Sequence, residues 1–327
     1  MKKLNNYIQY FKVKVKAGRE FGFSISFLDS ISRITLKFRL YKITQQLAKK
    51  KNYRILDFLE KEFAEIPHTK NQEQLSLSKT KGEKIVWTCW WQGEENAPVL
   101  VKKCMKNLKK NNETVVITKY NYKKFVQLSS IFIEKLEKGN ITLTHFSDIL
   151  RIALLKEHGG LWLDSTCFTI NKIPDFVFDY PIFMGREKVN LKCENYQTFL
   201  SQEDNLFWHL YVLGGKKDNL LFTITYKMLE KYWQKYDTLI DYFLIDYLVY
   251  FVYLNFSSVK EEIDRVGENM GVENFLQSML NLSYNDELMS EIKRKKDIFF
   301  KLSYKKDLEE LTKSGKKTFY NKLFLEN

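Results

Sequence analysis

The chain has 327 residues, 44% of them hydrophobic and 15% aromatic, with 53 Lys+Arg against 40 Asp+Glu and a formal net charge of +13. That much apolar material excludes a disordered chain, and the length can bury a sizeable core. Four Pro and 13 Gly exclude collagen-like and low-complexity classes.

The charge is concentrated at the start. Residues 1–54 hold 14 basic side chains against two acidic ones, Glu20 and Asp29, a net +12 that leaves +1 for the rest. A near-neutral body argues against nucleic-acid binding across the whole chain. The basic segment remains able to meet an anionic surface, lipid or nucleic acid. Residues 1–66 read as a mostly helical basic arm. Phe21, Phe23, Ile25, Phe27, Leu28 and Ile31 cluster there, flanked by Lys16, Arg19, Arg33 and Lys37. Two readings stand: a segment lying in a membrane interface, or a helix packed on its own domain with its lysines in water. No apolar run approaches the ~20 residues needed to span a bilayer. No apolar stretch of signal-peptide type follows the basic start, so a cytoplasmic protein is expected. Cys89, Cys104, Cys167 and Cys193 form no C-x-x-C pair, which points away from a disulfide framework or zinc site and toward a reducing compartment.

Residues 67–82 are polar and aperiodic, as a linker would be. The main domain, 83–327, opens with a β-type run from Lys84 to Trp90. A helix follows, with Pro98 at its start and Val99, Leu100, Val101, Cys104, Met105 and Leu108 on its apolar face. A second strand is expected at Thr114–Thr118, and strand–helix–strand is how a parallel α/β sheet begins. From Thr144, Phe146, Ile149, Leu150, Ala153 and Leu154 fall on one helical face, and Gly159-Gly160 ends that helix. Leu161-Trp162-Leu163 is then a short buried strand, and Ile182-Phe183-Met184 another. Two apolar-rich helices are expected between Leu220 and Leu254. The tail from Asp286 reads as mostly helical, except near Phe299–Leu302. Trp208, Tyr211, Tyr232 and Trp233 read as core.

The segment that carries chemistry runs from Ser147-Asp148-Ile149-Leu150-Arg151 to Leu163-Asp164-Ser165-Thr166. Asp148 and Arg151 share a helix face. Alone they would be a surface ion pair worth at most about 1 kcal/mol. Asp164 changes that reading, because it ends a buried strand, at the edge where open α/β sheets bind ligands. A carboxylate there suits ligand hydroxyls or a hard cation. His145 and His158 flank the helix and read as structural, and Cys167 as a small buried filler. A buried Asp needs a partner, so of Asp241 and Asp246, both in an apolar helical run, Asp246 is chosen for the site.

This segment resembles the DxD-containing sugar-binding region of glycosyltransferase family 32, which has the GT-A fold. It is more similar still to bacterial capsular polysaccharide synthesis proteins. The resemblance also rests on Trp87–Pro98, with its Trp90-Trp91-Gln92-Gly93 core, on Asp241–Tyr247, and on Lys301-Leu302-Ser303-Tyr304-Lys305. It covers roughly residues 83–306 and implies a GT-A-like, Rossmann-type mixed sheet with flanking helices beside the N-terminal helical arm.

By that resemblance, Trp91 stacks on the donor nucleobase beside Trp90. Asp148 and Arg151 bind donor-sugar hydroxyls, Trp162 takes the family's aromatic strand position, and Asp164 holds donor ribose and sugar. Thr166 stands where the second DxD acid is expected, so a divalent metal (Mn²⁺ or Mg²⁺) on Asp164 and Thr166 is left open. Lys301 and Lys305 would be an alternative source of positive charge, although two solvated lysines are the plainer expectation.

The resemblance implies a retaining, nucleotide-sugar-dependent hexosyltransferase. Its acceptor would be a capsular or cell-surface saccharide, lipid-linked, at the inner face of the cell membrane. The basic arm would contact the anionic lipid there, and no nucleic acid is expected. The alternatives are a nucleic-acid-binding protein using residues 1–54 and a glycosyltransferase-like binding module without turnover.

Overall fold

The computed structural model describes residues 2–66, 83–188, 206–270, 275–294 and 298–326; the expected linker and Cys193 lie outside them. Three helices come first: α1 (Lys2–Phe21), α2 (Phe23–Lys37) and α3 (Tyr41–Glu62). Gly22, at φ 90°, turns the chain between the first two. Then follow β1 (Ile85–Cys89), α4 (Val99–Asn111), β2 (Glu113–Ile117), α5 (Ser130–Glu137), α6 (Leu143–His158), β3 (Gly160–Leu163) and β4 (Cys167–Phe168). The rest comprises β5 (Ile182–Lys188), β6 (Leu206–Gly215), α7 (Leu220–Lys235), α8 (Leu244–Asn255), α9 (Ser257–Asp264), α10 (Phe275–Met279), α11 (Asp286–Arg294) and β7 (Phe300–Lys301).

Five strands form one sheet in the order β2-β1-β3-β6-β5. β1 runs parallel to β2 and β3, while β6 is antiparallel to both β3 and β5. The fold is therefore the expected mixed α/β sheet with flanking helices and an N-terminal helical region. β4 and β7 make a separate two-stranded piece, with Cys167 opposite Lys301. The periodicities behind the helices hold: the α4 face named above is buried from Leu100 to Leu108, and α6 buries Phe146, Ile149, Leu150 and Ile152 to Leu155.

Two expectations differ. β6 passed unnoticed in the sequence because it lies between β3 and β5 and buries both faces, so apolar and polar residues do not alternate. The tail is helical in α11 and in a single π-helical turn at Asn321–Leu325. After β7 it runs mostly in turns, because Lys305–Lys317 carries little apolar periodicity and is largely exposed.

The N-terminal helices share the main core. Ile55, Leu59 and Phe63 are fully buried, and Phe21 packs on Tyr232 and Tyr236 at ring-centroid distances of 6.0 and 4.9 Å. Between α2, α3 and the start of the Asp241–Leu244 turn lies a buried ionic cluster. Lys51 Nζ is 3.0 Å from Asp29 and 2.6 Å from Asp241, and Lys14 and Arg33 also reach Asp29, at 2.6 and 3.0 Å. Of the Phe21–Ile31 cluster, Phe21 at the end of α1 and Ile25 on α2 are buried, whereas Phe23 and Phe27 on α2 are more than 60% exposed.

Candidate active site

The parallel strands β1, β2 and β3 all end at one edge of the sheet, where the chain continues into Trp90-Trp91, Thr118 and Asp164. That is the edge at which such sheets accept ligands. α6 brings Asp148 and Arg151 to it. The tight α6–β3 junction needs both glycines. A Cβ on Gly160 (φ 90°) would sit 2.6 Å from the Ile85 carbonyl oxygen, and one on Gly159 (φ 71°) 2.7 Å from the Lys217 nitrogen. Trp87 Nε1 donates to the Gly159 carbonyl at 2.8 Å and pins the turn.

The charged side chains then meet. Arg151 Nη2 lies 3.1 Å from Asp148 Oδ1 and 3.1 Å from Asp164 Oδ1. Trp162 Nε1 donates to Asp164 Oδ1 at 2.9 Å. Lys301 Nζ donates to Asp164 Oδ2 at 2.6 Å and sits over the Tyr211 ring. Arg151 is stacked over the Trp162 ring, 5.3 Å from its centroid. Its Nε is buried and, among the described residues, has no hydrogen-bond partner. Arg151 is almost closed off at 5% side-chain exposure, but Asp148, Asp164 and Lys301 keep 15%, 29% and 24%, so a ligand can reach them.

The electrostatics divide the acids. Burial raises the Asp164 carboxyl, but Lys301 and Arg151 outweigh it and hold it at about 2. Burial pushes Asp148 up to about 7. Arg151 and Lys301 offset this only in part, and Asp164 adds to it. Asp246, in the first turn of α8, is also raised to about 7 by burial and by the charge of Asp148. Burial pulls the Lys301 ammonium down, but Asp164 more than compensates and its pKa is raised. The Cys167 thiol is pushed up to about 12, chiefly by burial, which leaves it unreactive.

The remaining expected residues take these places. Trp91 packs edge-on against Phe146 of α6 at 4.8 Å and at a tilt against Tyr122 at 5.2 Å. Trp90 lies edge-on to Tyr304, and its buried Nε1 is unpartnered among the described residues. Trp162 is 1% exposed and stands behind Asp164. Thr166 follows in the turn after β3, and its carbonyl accepts from the Leu302 N–H at 3.0 Å. Asp241 is drawn into the N-terminal ionic cluster instead. His145 bonds the Thr142 hydroxyl and the Tyr242 carbonyl, and His158 the Phe125 carbonyl.

Lys301 overturns an expectation: it is no solvated lysine but a half-buried partner of Asp164, while Lys305 remains exposed. The available signal was a lysine inside the apolar Phe299–Leu302 run, which needs an anion if the run is buried. Tyr242 was also missed. Its hydroxyl is raised by burial and by the charges of Asp148 and Asp164, which places it beside the site.

The residues present do not fit a divalent cation on Asp164. Both its oxygens are already engaged by Arg151, Trp162 and Lys301. Among the described residues, no three His, Cys, Asp or Glu side chains gather into a ligand set. A dication on Asp164 would also face two protein cations at close range.

A family described as capsular polysaccharide synthesis protein matches residues 36–323. The chain belongs to that family. The match starts near the end of α2 and spans α3, the sheet and the site. No curated protein matches the chain. Among solved structures, the PaToxG glycosyltransferase is similar at 14% identity, covering 67% of this chain and 83% of that one, with a TM-score of 0.37. That superposition is too loose to transfer any residue role.

Proposed function

We propose that this capsular polysaccharide synthesis family member is a glycosyltransferase of GT-A type. It would move a sugar from a nucleotide-sugar donor to a saccharide acceptor in a capsular or cell-surface polysaccharide precursor. The observation that carries the reading is the Asp148–Arg151–Asp164–Lys301 cluster at the ligand-accepting edge of the sheet, reachable and incompletely satisfied.

In this reading Trp91 and Trp90 receive the nucleobase, Asp148 and Arg151 the donor-sugar hydroxyls, and Asp164 the ribose and sugar. Trp162 orients Asp164 from behind through its N–H. Asp246 tunes Asp148 through their mutual repulsion. The bond from the sugar's anomeric carbon to the leaving phosphate oxygen breaks, and the electron pair stays on the diphosphate. The acceptor oxygen bonds to the same carbon with retention, and its proton passes to the departing phosphate. Preorganised positive charge beside the leaving group would carry much of the catalysis. A screen of nucleotide sugars for binding and hydrolysis tests this. Turnover of one donor, abolished in Asp164→Ala, is expected, and failure of every donor to bind or hydrolyse would sink the reading.

The acceptor is proposed to be lipid-linked, with the enzyme peripheral at the cytoplasmic membrane face. Among the described residues no helix is long and apolar enough to cross a membrane. Phe23, Phe27 and Ile34 on α2 and Phe38 just after it recur at spacings of four, seven and four, are each more than half exposed, and lie among Arg33, Lys37 and Arg39. Exposed aromatics ringed by cations suit an anionic lipid interface. Co-sedimentation with phosphatidylglycerol vesicles should be lost in Phe23→Ser/Phe27→Ser. Unchanged binding by that variant would remove the proposal.

A further inference from the structure

We propose that Lys301 supplies, from within the chain, the positive charge that faces the donor diphosphate, so that donor binding and cleavage need no divalent metal. This rests on the glycosyltransferase reading and deepens it.

The case begins with the second oxygen of Asp164. Lys301 Nζ holds it at 2.6 Å, where a metal ion would otherwise bind. Ser165 and Thr166, the next side chains in the turn to offer an oxygen, are both neutral. Both oxygens of Asp164 already face protein cations, Arg151 Nη2 at 3.1 Å and Lys301 Nζ at 2.6 Å. A dication there would be repelled by both, whereas an anion would be drawn to them.

The position of Lys301 is built, not incidental. β7 pairs with β4 so that Lys301 lies opposite Cys167, and the adjacent Leu302 N–H is tied to the Thr166 carbonyl at 3.0 Å. The aromatic face of Tyr211 lies 4.7 Å from the ammonium and favours its charged state. An ammonium carries three donors, and Asp164 engages one of them. With 24% of the side chain exposed, others are open to phosphate oxygens. When the bond between the anomeric carbon and the phosphate oxygen breaks, the negative charge gathers on that oxygen, and Lys301 and Arg151 balance it. No proton need leave Lys301.

Three titrations decide the matter. In the first, Mn²⁺ is added to the metal-free chain and followed by electron paramagnetic resonance. The wild type should bind no Mn²⁺ at sub-millimolar levels. Lys301→Met should gain a site, and Asp164→Asn should remove it again. In the second, UDP and GDP are titrated by calorimetry in EDTA and in Mn²⁺. At least one should bind equally well in both, with affinity about tenfold lower in Lys301→Met and partly kept in Lys301→Arg. In the third, turnover of the best donor in EDTA should match turnover in Mn²⁺. Tight Mn²⁺ binding by the wild type that Asp164→Asn abolishes would overturn the inference, as would nucleotide binding that collapses in EDTA. If no nucleoside diphosphate binds in either condition, the glycosyltransferase reading fails instead, and the Mn²⁺ titration still decides whether Asp164 is a cation site. Circular dichroism of the Lys301 variants separates a lost site from a lost fold.

Discussion

Two ionic clusters lie within this protein, and they are built differently. In the N-terminal cluster every carboxylate oxygen has a donor. Asp29 Oδ2 faces Lys14 and Arg33, and its Oδ1 faces Lys51. Asp241 Oδ2 faces Lys51, and its Oδ1 accepts from the Phe243 N–H at 3.0 Å. Burial alone would raise Asp29, but its three cations hold it well below the usual carboxylate range. The site cluster is left open: Arg151 Nε has no partner among the described residues, and two of its acids sit near 7. A closed, saturated set of charges fixes helices in place, whereas an open, frustrated one has interactions left for a ligand. The N-terminal helices are thereby joined, through Asp241, to the turn that carries Tyr242 beside the site.

The largest expected effect lies in the closed cluster. Lys51→Met leaves Asp29 and Asp241 buried without their shared cation. It should cost about 3–5 kcal/mol in denaturant unfolding, as removal of one partner from a buried pair does. Loss of less than 1 kcal/mol would mean that the cluster does not anchor α3. The second effect reverses the pattern. Asp164→Asn keeps the side-chain volume and an acceptor for the Trp162 N–H, and Lys301 can turn toward water. Donor turnover should fall about 10²–10³-fold, with a smaller loss of stability than Lys51→Met causes. A large stability loss with turnover kept per folded molecule would merge the two clusters into one structural class.

The legibility of the two clusters in the sequence also differs. The site was readable because its parts are local. Asp148 and Arg151 are one helical turn apart, Gly159-Gly160 stops the helix, and Asp164 ends the following strand. Lys301 was legible only as an alternative source of charge, because its partner Asp164 lies 137 residues earlier and meets it through the β4–β7 pairing. Nothing in its own segment beyond an apolar context announces an anion. The N-terminal cluster escaped for the same reason, since Asp241 is 190 residues from Lys51. Charge arithmetic saw a basic arm, but it could not see that Lys14, Arg33 and Lys51 converge on buried acids. In the sheet, β1, β2 and β3 showed themselves by short β-type runs between helices. β6 did not, because a strand buried on both faces loses the alternation that marks an edge or a half-exposed strand.

Acidity acts with opposite signs on two sets of acids, and only the site cluster contains both. Asp29 and Asp164 are depressed in the folded state. Their contribution is present above about pH 4 and lost as pH falls further. Asp148 and Asp246 are raised from 3.8 to about 7, burial being the main cause. Between those values the folded chain keeps protons that the unfolded chain has released, so this pair makes stability fall as pH rises from about 4 to 7. Asp246→Asn removes one such proton and relieves Asp148 of a like charge. It should flatten the decline, by about 1–2 kcal/mol between pH 5 and 7 in denaturant melts. A slope identical to that of the wild type would show that the two acids do not titrate in this range.

The smallest effect tests burial within one cluster. Asp29 carries both a buried cation, Lys51 at 5% side-chain exposure, and an exposed one, Arg33 at 47%, at the same distance of 3.0 Å. Distance alone would rank them equally. Removing Lys51 strands two acids away from water, while removing Arg33 leaves Asp29 with Lys14 and Lys51, and the guanidinium was largely solvated to begin with. Arg33→Ala should therefore cost only about 0.2–1 kcal/mol. Salt should erase most of that difference, since an exposed pair is screened and a buried one much less so. If Arg33→Ala and Lys51→Met cost the same in 0.5 M salt (about that concentration would screen the exposed pair), the cluster is held by its surface charges, and the contrast between a closed and an open set loses its basis.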